Sequence, residues 1–297
     1  VGYTIEDTRR EIQVMIEGAR RKGFDKRSKL KNNAEPFFER LGAIDLKPIP
    51  YLIEGLIPIN SNVVIFGDPG SAKSFIGIDM ACSIASGRAY HGNHVEQGTV
   101  LYIAGEGRRG LVQRAHGWCG YYEVDPLTIP FYISKHAVGL REEEQLAFVQ
   151  SEIDAKVAIG DSPVLVVIDT LARNFGGGDE NSTKDMSEFI SGVDTLNNQY
   201  GSASLIIHHS GVSDKSRSRG NTALKGALDA EYRSHKSGDF VSLSCTKMKD
   251  SDEPEPINFF LDSISIPSVA GEPIQTVVPI KRTDRVDRYR LTMGTLN

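Results

Sequence analysis

The sequence predicts an α/β protein, a mostly parallel sheet flanked by helices, with a short helical arm at its amino end. Three observations carry this expectation. Four β-rich apolar runs, 62–66 (NVVIF), 99–103 (TVLYI), 164–168 (VLVVI) and 204–207 (SLII), lack the polar alternation of a half-exposed strand, so they read as strands covered on both faces. Stretches with helical spacing separate them. The first run also passes through a glycine-rich loop straight into one of those helices.

In chain order, residues 5–23 place Ile5, Ile12, Met15, Ile16 and Ala19 at helical spacing, with Gly23 as a stop. The stretch from Arg9 to Lys31 holds nine basic and three acidic residues. It reads either as a solvated helix and linker or as an arm that packs on a neighbouring subunit. Helices are expected at 73–86, 108–118, 141–158 and 184–199. Segments 240–246 and 256–261 read as further strands, antiparallel in character, and the tail after 270 has no clear pattern. These assignments divide the chain into an arm and linker at 1–44, a main domain at 45–265 and an extension at 266–297.

Composition narrows the class. With 34 basic and 39 acidic side chains the formal net charge is −5, which excludes a uniformly basic nucleic-acid coat and makes any polyanion site a local one. At 39% hydrophobic and 25% charged residues, the chain has the balance of an ordinary globular domain. No apolar run reaches the ~18 residues of a membrane span. Arg9–Arg10 and Arg20–Lys22 interrupt any secretory signal. The chain does not open with Met, which suggests processing or trimming. Cys82, Cys119 and Cys245 have no metal-ligand spacing, and so sparse and odd a count fits free thiols in a reducing, cytoplasmic setting.

The loop after the first strand is Gly67-Asp68-Pro69-Gly70-Ser71-Ala72-Lys73-Ser74, followed by Phe75. It has the P-loop spacing in the strand–loop–helix setting that pattern requires. Successive backbone N–H groups and a helix N-terminus there cradle phosphate oxygens. Lys73 is expected to reach the β- and γ-phosphates of ATP, and the Ser74 hydroxyl to ligate Mg²⁺. Glycine is expected immediately before the lysine; Ala72 departs from this, and its methyl group restricts φ and approaches the phosphates.

The strand at 164–168 runs into Asp169, placed for the Mg²⁺ shell. Thr170 follows it. ATPases of the AAA+ kind carry their water-activating Glu at that point, so by this sign the chain does not look like one. A different carboxylate, Glu106, stands just beyond the strand at 99–103. Carboxyl strand ends of an open parallel sheet converge on the ligand crevice, and a Glu there can orient or deprotonate an attacking water.

A P-loop, then Glu after the second strand, then Asp after the third, is the order of RecA-like motors. More narrowly, YLIEGLIPINSNVVIFGDPGSAKS, GRAYHGNHVEQGTVLYIAGEG, VLVVIDTLARNFGGGDENS and LIIHHS resemble the RepA-type hexameric replicative helicases of plasmids and phages. The likeness spans about residues 50–262. It implies a RecA-like P-loop fold and an ATP-driven, ring-forming motor on single-stranded DNA, usually a hexamer, with primase or other replication proteins as possible partners.

The resemblance assigns further roles. A polar residue at the end of the strand at 204–207 senses the γ-phosphate; matching the strand end favours His209 over His208. The segment after it, 211–219 (GVSDKSRSR), carries Lys215, Arg217 and Arg219, with Lys225 beyond. A flexible basic loop of this kind grips the backbone of single-stranded nucleic acid, since phosphate contacts need only mobile cations. The loop from Ala172 to Thr183, with Arg173, Asn174 and Phe175, offers a second strand contact. Lys247 and Lys249 match a Lys-x-Lys pair that reaches the γ-phosphate held by the adjacent subunit; i and i+2 on a strand project to one side. Two rival readings share the site: a recombinase- or clock-type ATPase that does not unwind, and a non-catalytic ATP-binding scaffold.

Overall fold

A computed structural model of the chain describes residue 14 and residues 38–211, 215, 217–268 and 271–281. The helix expected at 5–23 and the basic stretch after it lie outside the described residues, save for Val14, which is helical. The chain divides into two compact units, Val1–Pro48 and Ile49–Asn297. In the first, Leu41–Ala43 form one 3₁₀ turn, closed by the Ala43 amide donating to the Arg40 carbonyl at 2.8 Å.

The second unit opens with a small antiparallel pair, β1 (Tyr51–Ile53) and β2 (Ile57–Pro58). The remaining strands are β3 (Asn62–Gly67), β4 (Thr99–Ala104), β5 (Phe131–Ile133), β6 (Pro163–Asp169), β7 (Ala203–His209), β8 (Ala230–Ser237), β9 (Phe240–Met248), β10 (Ile257–Ile266) and β11 (Ile274–Lys281). The helices are α1 (Lys73–Ser86), α2 (Arg108–Tyr122), α3 (Glu143–Val157), α4 (Leu171–Asn174), α5 (Thr183–Tyr200) and α6 (Thr222–Ala227). One nine-stranded sheet runs β11-β10-β9-β8-β3-β7-β6-β4-β5. From β5 across to β8 every neighbouring pair is parallel, and β8 through β11 form an antiparallel meander. The expected architecture, a mostly parallel sheet flanked by helices, is the one observed.

The missing alternation in the four apolar runs has a direct cause. Val63, Ile65, Leu165, Val167, Leu205 and Ile207 face one layer, with Ile76, Met80 and Trp118 from α1 and α2. Their neighbours Val64, Phe66, Val166, Ile168 and Ile206 face the other, with Ile153, Phe189 and Leu196 from α3 and α5. Successive side chains point to opposite faces of a sheet, and both faces here are covered, so apolar residues follow one another after the polar Asn62, Thr99 and Ser204 that open three of the runs.

The small β1–β2 pair was not expected from the sequence, nor were three strands of the main sheet. β5 is only three residues long and half-buried. β8 (AEYRSHKS) looks polar, yet Glu231 and Ser234 on it are buried; hydrogen bonds make that burial affordable. β11 lies within the stretch set apart as an extension at 266–297. It pairs with β10 from Ile266↔Ile274 to Phe259↔Lys281 and so forms the sheet's edge. Residues 282–297 lie outside the described residues.

The register positions the site. Gly67 pairs with His209, Asp169 with both Ala104 and Ile207. The carboxyl ends of β3, β4, β6 and β7 therefore finish level along one edge of the sheet.

Candidate active site

The phosphate loop turns on residues of positive φ. Gly70 has φ +78 and Ala72 φ 69 with ψ 14, the left-handed region. At Ala72 that conformation costs roughly 1–2 kcal/mol relative to what glycine pays. Gly67 is required for a different reason: a Cβ there would lie 2.3 Å from the Ser234 carbonyl oxygen, so its absence lets β3 and β8 approach.

Lys73, the first residue of α1, is buried. Its Nζ donates to the carbonyls of Gly67 (3.0 Å) and Asp68 (2.8 Å). Burial pushes its ammonium pKa down, opposed by the charges of Asp169 and Asp68. A desolvated cation resting on dipoles is matched to an incoming phosphate.

Asp169 ends β6, buried. It accepts from the Tyr102 hydroxyl at 2.6 Å and from Ser74. Burial raises its carboxyl pKa, and these two hydrogen bonds oppose that rise. The pairing of a hydroxyl with a buried carboxylate fits Mg²⁺, which takes one or two carboxylates and completes its shell with waters and substrate phosphates. Among the described residues no cluster of three or more His, Cys, Asp or Glu could hold a metal unaided.

Glu106 lies just past β4, where its Oε1 accepts from Arg173 Nε at 2.8 Å. Gly105 makes this possible. A Cβ on it would meet the Arg173 side chain at 2.4 Å and the Asp169 carbonyl at 3.0 Å, so the ends of β4 and β6 can touch. Of the two histidines, His208 turns into the protein: its Nε2 meets the Arg219 carbonyl at 2.8 Å, and burial drives its pKa down to about 4. His209 is half-buried and faces the cleft, its pKa lowered by burial and then by Lys73 and Arg219.

One cleft of about 400 Å³ thus brings together Lys73, Ser74, Glu106, Asp169 and His209. Arg114 of α2 and Lys236 of β8 also line it. The Arg114 guanidinium lies over the Phe75 ring at 4.3 Å. Neither cation stands in a motif, and on the sequence each reads as an ordinary surface charge. Thr170 Oγ1 and His209 Nδ1 are buried without hydrogen-bond partners among the described residues, as expected of a cradle for a polar ligand.

The other candidates lie outside this cleft. Lys247 Nζ donates to the Lys225 carbonyl at 2.6 Å, and Lys249 Nζ stands 3.4 Å from Asp229. The cations expected to meet nucleic acid are largely paired. Lys215 meets Asp68 at 3.0 Å, Arg219 grips Glu180 through two nitrogens at 2.8 and 2.9 Å, and Lys225 meets the buried Glu231 at 3.1 Å. Arg217 is exposed, and its carbonyl accepts from the Gly211 amide at 2.9 Å. The loop offered as a second strand contact is spent on the protein itself. Asn174 is buried and bonds to Val138 and Thr170, Phe175 packs on Phe189, and Arg173 holds Glu106.

Residues 26–215 match the profile of a family described as an AAA domain. No curated protein matches the chain. The match corrects the inference drawn from Thr170: the lack of a Glu after Asp169 does not set the chain apart from this family. Glu106, just past β4, lines the cleft together with Asp169.

Proposed function

The chain belongs to the AAA-domain family, as an ATPase of the P-loop class, and on that premise we propose that it is an ATP-driven, ring-forming motor on single-stranded DNA, a replicative helicase. The observation that carries this reading is the wiring between the nucleotide cleft and the basic segment after β7. Lys215 bonds to Asp68 of the phosphate loop. The Arg219 amide donates to the His209 carbonyl, and the Arg219 carbonyl meets His208. A contact made by that segment therefore acts directly on the groups around the nucleotide.

In this reading Lys73 leaves its two carbonyls for the β- and γ-phosphates of ATP. Ser74 and Asp169 hold Mg²⁺, which when bound neutralises charge developing on the phosphate oxygens. Glu106, steadied by Arg173, takes the proton of the attacking water. His209 sits where it can feel the γ-phosphate. Lys247 and Lys249 serve the neighbouring subunit's site, which agrees with their absence from their own cleft, and hydrolysis then requires a ring, by resemblance a hexamer. Charge rather than bidentate geometry does this work, since lysine lacks the guanidinium fork.

Phosphate release measured with and without single-stranded DNA tests the proposal. DNA-stimulated release is the expected result. Unstimulated release would favour the clock type, and no release the scaffold.

A further inference from the structure

A second cleft, of about 340 Å³, lies on the outer side of the phosphate loop. Asp68, Ser71, Lys215, Arg233 and Lys236 line it, and it shares Pro69, Gly70 and Lys236 with the nucleotide cleft. Three cations thus surround one carboxylate. Among the described residues neither Arg233 nor Lys236 is paired with a carboxylate. Asp68 accepts from the Ser210 hydroxyl and from Lys215 Nζ. These two bonds, with the nearby charges of Lys215 and Arg233, hold its carboxyl pKa below the usual range. The hydroxyl of Ser71 is buried without a partner among the described residues. Meanwhile the Asp68 carbonyl, on the other side of the loop, holds Lys73.

We propose that this cleft is a second anion site, which takes a backbone phosphate of a single nucleic-acid strand in place of the Asp68 carboxylate on Lys215. It rests on the motor reading above and names where the strand meets the nucleotide loop. A phosphodiester carries one negative charge on two free oxygens, as a carboxylate does, so it can replace Asp68 on Lys215 without loss of charge balance. It adds a partner for Arg233, whose planar fork suits phosphate. The cations are spread along an open rim, and Lys215 is 65% exposed; that arrangement tracks a chain of phosphates rather than closing round one small ion. Once Asp68 is released, the strand reaches Lys73 through a single residue, because one residue supplies both the displaced carboxylate and the carbonyl under the lysine.

The test is binding of a fluorescein-labelled oligothymidylate, followed by anisotropy across a salt titration, with ATP turnover measured in parallel. Arg233→Gln should weaken binding by about 5–10-fold near 0.1 M salt and lower the salt slope by about 0.7, one phosphate contact on a single strand. Arg233→Lys should retain most of that slope. Asp68→Asn should bind the strand several-fold more tightly, with basal turnover raised and the ratio of stimulated to basal turnover reduced. If the Arg233 variants unfold, Lys236→Gln carries the same slope expectation. Wild-type affinity and slope in Arg233→Gln would overturn the site while leaving the motor reading intact. Unchanged affinity in Asp68→Asn would overturn the displacement. A wild type that binds no oligonucleotide would overturn both the site and the motor reading. Inorganic phosphate at constant ionic strength should compete weakly; strong competition that vanishes in Arg233→Gln would make the cleft a small-ion site and remove the strand from it.

Discussion

Lys73 and the cations between Lys215 and Lys225 carry the same charge and are held in opposite ways. Lys73 is buried and rests on two carbonyl oxygens, its ammonium desolvated. Lys215, Arg219 and Lys225 each sit on a carboxylate: Asp68, Glu180 and Glu231. A buried charge without an opposite charge is costly, so an arriving phosphate gains the full benefit of pairing with Lys73. A phosphate approaching the second group must instead displace a carboxylate, and only the difference between two ion pairs remains. Affinity at the first place is set by preorganisation, at the second by competition.

The largest expected effect lies at the unpaired cation. Lys73→Ala should lower ATP turnover by about 10²–10³-fold or more, the usual consequence of losing one preorganised donor to developing charge, and should weaken nucleotide binding. Turnover at the wild-type level in a phosphate-release assay would end the P-loop assignment. Glu106→Gln comes next. It keeps size and hydrogen bonding but removes the base, so hydrolysis should fall on the order of 10²-fold while ATP still binds. Normal hydrolysis in that variant, together with an Asp169→Asn variant that binds ATP but does not turn it over, would reverse the two roles.

The paired cations should respond more gently, and in the opposite direction when a carboxylate is removed. Glu180→Ala frees Arg219, so single-strand affinity should rise several-fold and the salt slope grow by about 0.7. ATP turnover without nucleic acid should change little. An unchanged slope would mean that Arg219 meets no phosphate and that its pairing with Glu180 is purely structural. The smallest effect is at Ala72→Gly. Relief of the left-handed alanine is worth about 1–2 kcal/mol, and the added freedom of the unfolded chain takes back about 0.4–1 kcal/mol. A net gain of about 0.5–1 kcal/mol in thermal unfolding is expected, with ATP binding equal or tighter. A loss of affinity would show that the methyl group packs usefully against the nucleotide.

The regions differed in legibility for the same reason that they differ in energetics. β3, β4, β6 and β7 announced themselves as unbroken apolar runs because residues such as Val64 and Ile65 are buried on opposite faces. Glu106 and Asp169 could be found because each stands just past such a run. β8 hid because its burial is polar: Glu231 accepts from Ser218 and Thr246 at 2.9 Å, and Ser234 donates to the Ser71 carbonyl at 2.5 Å. Nothing in AEYRSHKS announces those partners, which come from other elements. Asn174 and Phe175, offered as strand contacts because their loop follows Asp169, are core residues; a loop's place in the chain does not say which of its side chains turn inward.

By itself the sequence determined the parallel half of the sheet and the order in which Lys73, Ser74, Glu106 and Asp169 reach its carboxyl edge, because strand period and loop spacing are local along the chain. Only the tertiary structure decided which cations are available. Adding β8 to the free edge of β3 carries Arg233 and Lys236 to the phosphate loop, more than 150 residues beyond it in the chain. Folding likewise sets Glu180 against Arg219 and Asp68 against Lys215. Whether a charge is free or spent depends on what lies within a few ångströms of it, and for these pairs that neighbour comes from a distant part of the chain.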